Sequence, residues 1–147
     1  MNTEFENLMT GLEFKKLLEK KCEGIMKKYD LRKVELDVLY YISRGDRLDT
    51  AKDIISRSHI SKAHISKSVD NLKQRGFIEL QEDERDHRCI HLLITKNSLP
   101  VLAAYEQVHQ EFQDIIFKNV TEGEKKCIYD VAKKIIYNLN QEYEREI

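Results

Sequence analysis

A mostly α-helical fold with one small β-hairpin is what this 147-residue sequence predicts, and three observations carry the expectation. Apolar residues recur three and four apart along most of the chain, the period of amphipathic helices. One proline and five glycines leave little material for loops. Apolar residues alternate along residues 78–81 and again along 90–94, which reads as two strands around a charged turn.

The elements follow in order. From about Asn2 to Lys28 a helical pattern runs through Phe5, Leu8, Met9 and Leu12, then Leu17, Leu18, Cys22, Ile25 and Met26. Acids lead this segment and Lys27 and Lys28 close it, as a helix dipole prefers. Tyr29-Asp30-Leu31 is a short break. Val34, Val38, Leu39 and Ile42 mark the next helix, ending at Arg44-Gly45-Asp46. A short helix is expected from Thr50 to Ser58, with Thr50 and Asp53 in capping-box spacing. Another runs from about Ser61 to Arg75 and stops at Gly76, the residue type suited to a left-handed helix end. Ile65, Val69 and Leu72 form its buried stripe, while Ser61, Lys62, His64, Lys67 and Ser68 are expected to face water. In the hairpin, Ile78 and Leu80 alternate with Glu79 and Gln81, and Ile90, Leu92 and Ile94 alternate on the return. Ser98 and Pro100 then open a long helix, proline fitting a first turn where its missing N–H costs little. Its apolar side is Leu102, Tyr105, Val108, Phe112, Ile115 and Ile116, through to about Asn119. Thr121 to Glu124 is a capping box for the last helix, whose seam is Ile128, Val131, Ile135 and Leu139, widened by Ala132 and Ile136.

Helix, turn, helix and hairpin in this order make a winged helix-turn-helix, a shape that puts one helix in a DNA major groove. Residues 30–96 are the expected DNA-binding lobe, with helical regions at 1–29 and 97–147. Those flanking helices exceed what a lobe of this size needs to cover itself. A second copy of the chain is their simplest partner, so a homodimer is expected. A two-fold protein also presents two recognition helices one DNA turn apart, which suits a pseudo-palindromic operator in double-stranded DNA.

Net charge is −1, but the charge is unevenly placed. Between Arg57 and Arg75 five basic residues (Arg57, Lys62, Lys67, Lys73, Arg75) stand against Asp70 alone, with His59 and His64 besides. Residues 95–147 instead carry seven basic and nine acidic groups. Positive charge thus collects where the fold presents a helix to phosphate. An interaction module would be more apolar there; that is the competing reading from another functional class.

Other classes find less support. No apolar run reaches the length of a membrane span, and the start lacks the order of a signal peptide. Cys22, Cys89 and Cys127 are odd in number and far apart, so a disulfide framework is not expected and a reducing cytoplasm fits. No phosphate loop, zinc-protease helix or nucleophile elbow occurs, so neither catalysis nor a cofactor is expected. His87 and His91 flank Cys89 in a run that could hold a soft metal; a solvated His87 and a Cys89 packed under the hairpin are expected instead. Cys22 lies beside Lys20 and Lys21, which could lower its pKa, but it falls on the apolar stripe with Leu18, Ile25 and Met26, so a buried structural thiol is expected.

Taken together, the helix-turn-helix SRSHISKAHISKSVDNLKQRGFIE, the following DERDHRCIHLLIT and the long flanking helices resemble the MarR family of bacterial transcriptional regulators. Asp83-Glu84-Arg85-Asp86-His87-Arg88 fits that family's D-x-R-D-x-R wing pattern at every defined position. Independently of the family, aspartates beside arginines in a tight loop can hold guanidinium groups by bidentate pairs. An arginine so fixed suits a narrow minor groove. The resemblance implies this role for Arg85 or Arg88, and we favour Arg88 with Asp86 as its orienter. It also implies a repressor released by a small aromatic effector, and some relatives sense oxidants through an N-terminal cysteine, a redox alternative that would use Cys22. The chain departs from the family at Leu80 and Gln81, where relatives often carry arginines on the first wing strand. The expected DNA-facing residues are Ser61, Lys62, His64, Ser66 and Lys67 in the major groove, with Arg85, Asp86 and Arg88 in the wing.

Overall fold

The computed structural model describes residues 1–45, 49–58 and 60–146, excluding the Arg57 side chain. The expected helix end at Asp46, and Arg57 and His59 of the basic run, therefore lie outside what is described. The elements are α1 (Thr3–Thr10), α2 (Leu12–Tyr29), α3 (Lys33–Ser43), α4 (Ala51–Arg57), α5 (Lys62–Gln74), β1 (Ile78–Glu82), β2 (Ile90–Ile94), α6 (Leu99–Ile116) and α7 (Glu122–Glu146). A single 3-10 turn, Lys96–Ser98, leads into α6. The fold is a winged helix-turn-helix with long flanking helices. Two compact units divide it, Met1–Gln110 and the residues from Glu111 onward.

The expected first helix is two. Gly11 sits at φ +64°, ending α1 with its N–H on the Leu8 carbonyl and starting α2 without a side-chain cap. Glycine, having no Cβ, takes up the left-handed conformation that breaks the helix at little steric cost. One residue of interruption barely shifts the apolar period, which is why the pattern reads as continuous.

In the first unit the core is built from α2, α3, α4, α5, the hairpin and the start of α6. Cys22, Leu36, Leu39, Ile54, Ile65, Leu72, Ile78, Leu92, Val101 and Tyr105 are all buried in it. Thr50 caps α4 through the expected box: its hydroxyl accepts from the Asp53 N–H at 3.2 Å, and the Thr50 N–H donates to the Asp53 carboxylate at 3.2 Å. Helix α5 ends in a Schellman motif. Phe77 donates its N–H to the Leu72 carbonyl at 2.9 Å and Gly76 to Lys73 at 3.1 Å, with Gly76 at φ +73°. A Cβ at Gly76 would also stand 3.3 Å from the Asn97 side-chain nitrogen. The chain therefore turns from recognition helix to hairpin at one defined place.

The hairpin pairs antiparallel with Ile78 opposite Ile94, Leu80 opposite Leu92 and Glu82 opposite Ile90. Of β1 only Ile78 is buried; Leu80 is 39% exposed, because the hairpin extends past the lobe that covers its base. On its other edge β2 meets the residues ahead of α4, through a Thr50–His91 bridge and the Leu92 N–H on the Asp49 carbonyl at 2.9 Å.

Ser68 departs from expectation. It is fully buried and its hydroxyl has no hydrogen-bond partner among the described residues. It stands three residues after Ile65 and four before Leu72, so the helical period places it on the stripe rather than off it.

Glu35 is the buried acid of the lobe and joins α3 to α5. It accepts from the Arg32 N–H at 2.9 Å, the Arg32 guanidinium at 3.1 Å and the Asn71 amide at 3.2 Å. Burial pushes its carboxyl pKa up, but these donors outweigh burial and hold it below the ordinary value. Glu35→Ala is expected to cost about 2–3 kcal/mol in urea unfolding, since Asn71 and Arg32 lose a charged acceptor. The sign with pH follows from the lowered folded value: this contribution is present above the ordinary glutamate range and is lost as pH falls through the folded pKa. The wild type should lose stability on acidification more steeply than Glu35→Ala.

In the second unit, Thr121 and Glu124 form the expected capping box, with bonds of 2.9 and 3.2 Å. Phe117 meets Tyr129 edge-on at 6.0 Å, and the Lys125 ammonium lies 4.6 Å over the Phe117 ring. Helix α6 ends at Ile116 rather than near Asn119, and Asn119 itself is left-handed at φ +62°. Helix α7 buries no residue: Ile128, Val131, Ile136 and Leu139 are all 45–55% exposed.

Candidate nucleic-acid interface

Ser61 starts the site. As N-cap of α5 it accepts the His64 N–H at 3.3 Å, and its hydroxyl lies 3.0 Å from His64 Nδ1. The first turn of α5 holds no acid, so no carboxylate offsets the positive end of its dipole there. Ile65, Ser68, Val69 and Leu72 anchor the opposite face in the core. Ser61, Lys62, His64, Ser66 and Lys67 are consequently exposed together along one side. Lys62 and Lys67 are five apart, about one and a half turns, so both can reach a phosphate backbone flanking a groove.

Arg75 does not belong to that surface. Its guanidinium donates to the Tyr29 and Asp30 carbonyls at the end of α2 and lies 5.1 Å from the Phe77 ring. One charge of the basic run is thus spent on a helix terminus inside the lobe. Nothing in the sequence separates such an arginine from a phosphate contact, because the α2 end is distant in the chain.

The wing differs in detail from the expected bidentate pairs. Asp83 holds no guanidinium. Its Oδ1 accepts the Arg85 and Asp86 N–H groups at 2.8 and 3.0 Å, closing the turn. Asp86 Oδ1 accepts both the Arg88 N–H at 3.1 Å and Arg88 Nε at 3.2 Å, a single-point contact. Both NH2 ends of Arg88 stay free of that pair, with its side chain 93% exposed. Such an exposed pair adds little to stability, but it directs the guanidinium. Arg85 is exposed beside it.

Sequence reading missed His91. Its Nδ1 lies 2.6 Å from Asp49 Oδ1 and its Nε2 lies 2.8 Å from Asp83 Oδ2. Its pKa is raised to about 9, first by Asp83 and then by Asp49. Asp83 in turn is lowered to about 2 by His91 and the two wing N–H groups. His87 faces Glu82 at 3.2 Å. The two imidazoles therefore serve different carboxylates, and the His-x-Cys-x-His run does not converge. Cys89 is half-buried and Cys22 fully buried. Burial raises the Cys22 pKa and outweighs the lysine nearest in effect, Lys33; neither Lys20 nor Lys21 is among the causes.

A sequence model of the MarR family matches residues 29–88, from the end of α2 to Arg88 in the wing. Over these residues the chain is similar to the MarR family. Members of the MarR family are DNA-binding transcriptional regulators, not enzymes. Among relatives, the HTH-type transcriptional regulator BilQ of Clostridioides difficile is 27% identical over 105 residues, covering 71% of this chain and 70% of BilQ. Among solved structures, a MarR protein from Peptoclostridium difficile matches with a TM-score of 0.77 at 19% identity, covering 100% of this chain and 94% of that one. The MepR–DNA complex of S. aureus matches with a TM-score of 0.71 at 16% identity, covering 94% and 98%. These likenesses in structure concern the fold; the MarR-type match in sequence covers the helix-turn-helix and the wing as far as Arg88.

Proposed function

We propose that this MarR-like chain is a cytoplasmic, homodimeric repressor that reads a pseudo-palindromic operator with α5 and the wing. The observation that carries the reading is the shared exposed face of Ser61, Lys62, His64, Ser66 and Lys67, next to a wing whose arginines point outward. Lys62 and Lys67 supply phosphate contacts, His64 and Ser66 have the reach and polarity for base edges, and Arg88, directed by Asp86, supplies the minor-groove contact. Ser61 acts first as the cap that fixes the start of α5.

Dimer formation is supported by unpartnered apolar faces. Phe5, Leu8 and Met9 on α1 and Leu12 at the start of α2 are 40–52% exposed, and α7 presents Ile128, Val131 and Leu139. Faces of this kind on a monomer invite association. A small aromatic effector remains what the family resemblance suggests for release from DNA.

Selection from random duplex DNA with the full chain tests the reading. The expected product is an inverted repeat whose half-sites are one helical turn apart, roughly 10–10.5 base pairs centre to centre. Light scattering should give twice the chain mass, and Val131→Glu with Leu139→Lys should give a monomer that binds single half-sites weakly. Recovery of no shared sequence, or a wild-type monomer at micromolar concentration, overturns it.

A further inference from the structure

We propose that His91 is the positioning residue of the wing, clamping it to the start of α4 so that the wing arginines and α5 meet DNA at a fixed relative angle. The inference rests on the reading of Arg85 and Arg88 as DNA contacts, and deepens it.

The geometry is a continuous chain of hydrogen bonds. Asp49, just before α4, holds His91 Nδ1, and His91 Nε2 holds Asp83 Oδ2. The other oxygen of Asp83 accepts the Arg85 and Asp86 N–H groups, and Asp86 holds Arg88. Nothing else described ties the wing tip to the helix-turn-helix by side chains. The base of the hairpin is held separately, by Thr95, Asn97 and Ser98 donating to the Gly76 and Phe77 carbonyls and by the backbone contact of β2 with Asp49 and Thr50; the backbone bonds at the tip, Asp83 N–H to Cys89 and Cys89 N–H to Asp86, lie within the wing. A two-stranded ribbon projecting past its core twists easily. A clamp from its outer end back to α4 removes that freedom.

Both partners of His91 are carboxylates, which only accept hydrogen bonds, so each ring nitrogen must carry a proton. The clamp exists as the imidazolium. A neutral imidazole has one N–H and would leave one aspartate facing a lone pair. The acids that act on the ring are Asp83 in the wing and Asp49 ahead of α4; the neighbouring Cys89 thiol also feels Asp86 in the wing and Asp53 on α4. Glu82 at the end of β1 is turned to His87, and the residue opposite His91 on β1 is the uncharged Gln81. No described base competes for Asp49 or Asp83. With the ring's pKa near 9, the clamp is closed at neutral pH and opens on alkalinisation.

The test titrates the full-length wild type, His91→Gln, Arg88→Ala and the double variant against operator duplex from pH 7 to 10, with hydrogen exchange of the wing amides alongside. Wild-type affinity should fall through a midpoint near pH 9. His91→Gln should bind about 3- to 10-fold more weakly at pH 7.5, the cost of ordering one or two mobile side chains. It should lack the step near pH 9 and exchange the Arg85 and Asp86 amides faster. The double variant should be scarcely weaker than Arg88→Ala alone, because a positioning residue loses its effect when the positioned group is gone. If His91→Gln does not fold, the wild-type pH profile and Asp49→Ala, which cuts the same clamp at its far end, carry the test. The clamp is overturned if Arg88→Ala weakens binding while His91→Gln matches wild type in affinity and pH profile. It is also overturned if His91→Gln costs as much without Arg88 as with it. If Arg88→Ala has no effect, the wing reading itself fails, and that outcome is distinct.

Discussion

Replacing Tyr105 by alanine is expected to lower the free energy of unfolding by about 3–5 kcal/mol, the range for deleting a buried aromatic side chain. Tyr105 is 2% exposed and stands where α6 crosses the lobe. Its ring meets Tyr40 edge-on at 5.4 Å and His109 at 4.5 Å, while Tyr40 stacks on His109 at 4.8 Å. Its hydroxyl donates to Asp37 at 2.8 Å and accepts from Lys33 at 3.1 Å. Burial, then the Asp37 charge, raises the phenol far above its ordinary pKa, so it stays protonated and donating. A domain of this size has about 5–15 kcal/mol in total, so the alanine variant should be close to unfolding at 37 °C. Tyr105→Phe separates packing from hydrogen bonding. It keeps the ring and leaves Lys33 and Asp37 paired with each other, so about 1 kcal/mol is expected. Urea unfolding followed by far-UV circular dichroism measures both. Equal losses in the two variants would mean that the hydroxyl network, not the ring, carries this contact.

Much of this architecture is legible in the sequence because helical period and burial are the same information. Ile65, Val69 and Leu72 announce the buried side of α5, and Thr50 with Asp53 announces the start of α4. Errors arise where a single residue acts against type. Gly11 interrupts a continuous stripe, and Ser68 is buried because of its position despite its polarity. Leu80 is apolar yet exposed because the wing outruns its cover. The site shows a second limit. The identity of Arg88 and Asp86 as neighbours is local, so their contact can be anticipated from spacing. Arg75 on the end of α2, and Asp49 on His91, join residues more than forty positions apart, and no local pattern encodes such pairs. For His91 the one signal was its place on the polar side of β2, three residues after the wing motif. A polar residue there needs a partner, but periodicity does not name it.

Arg88→Ala should separate operator from random DNA, and Lys67→Ala should not. Lys67 is an exposed ammonium on a flexible stem, which contacts phosphate as a point charge. Its removal should weaken both duplexes alike and flatten the slope of log affinity against log salt by about one per contact. Arg88 presents a planar guanidinium at the wing tip, held through Nε by Asp86 at 3.2 Å with both terminal nitrogens outward. An arginine in a minor groove gains most where the sequence narrows that groove and deepens its negative potential. Its loss should therefore cost about 1–3 kcal/mol on operator, roughly 5- to 150-fold per site, and much less on scrambled duplex. Asp86→Ala tests the directing contact. It frees the guanidinium and one cap of the turn at once, removing the acceptor of both the Arg88 N–H and Nε. Asp86→Ala also removes a negative charge near phosphate, which favours binding to any DNA. On operator the two effects oppose, so a partial loss is expected; on random duplex the charge effect stands alone and affinity should rise slightly. That opposite sign is the signature of an orienting acid. Titrations of the three variants on both duplexes at several salt concentrations read all of it. Wild-type behaviour of Arg88→Ala and Asp86→Ala on both duplexes would reduce the wing to a solvated hairpin and leave recognition to α5 alone.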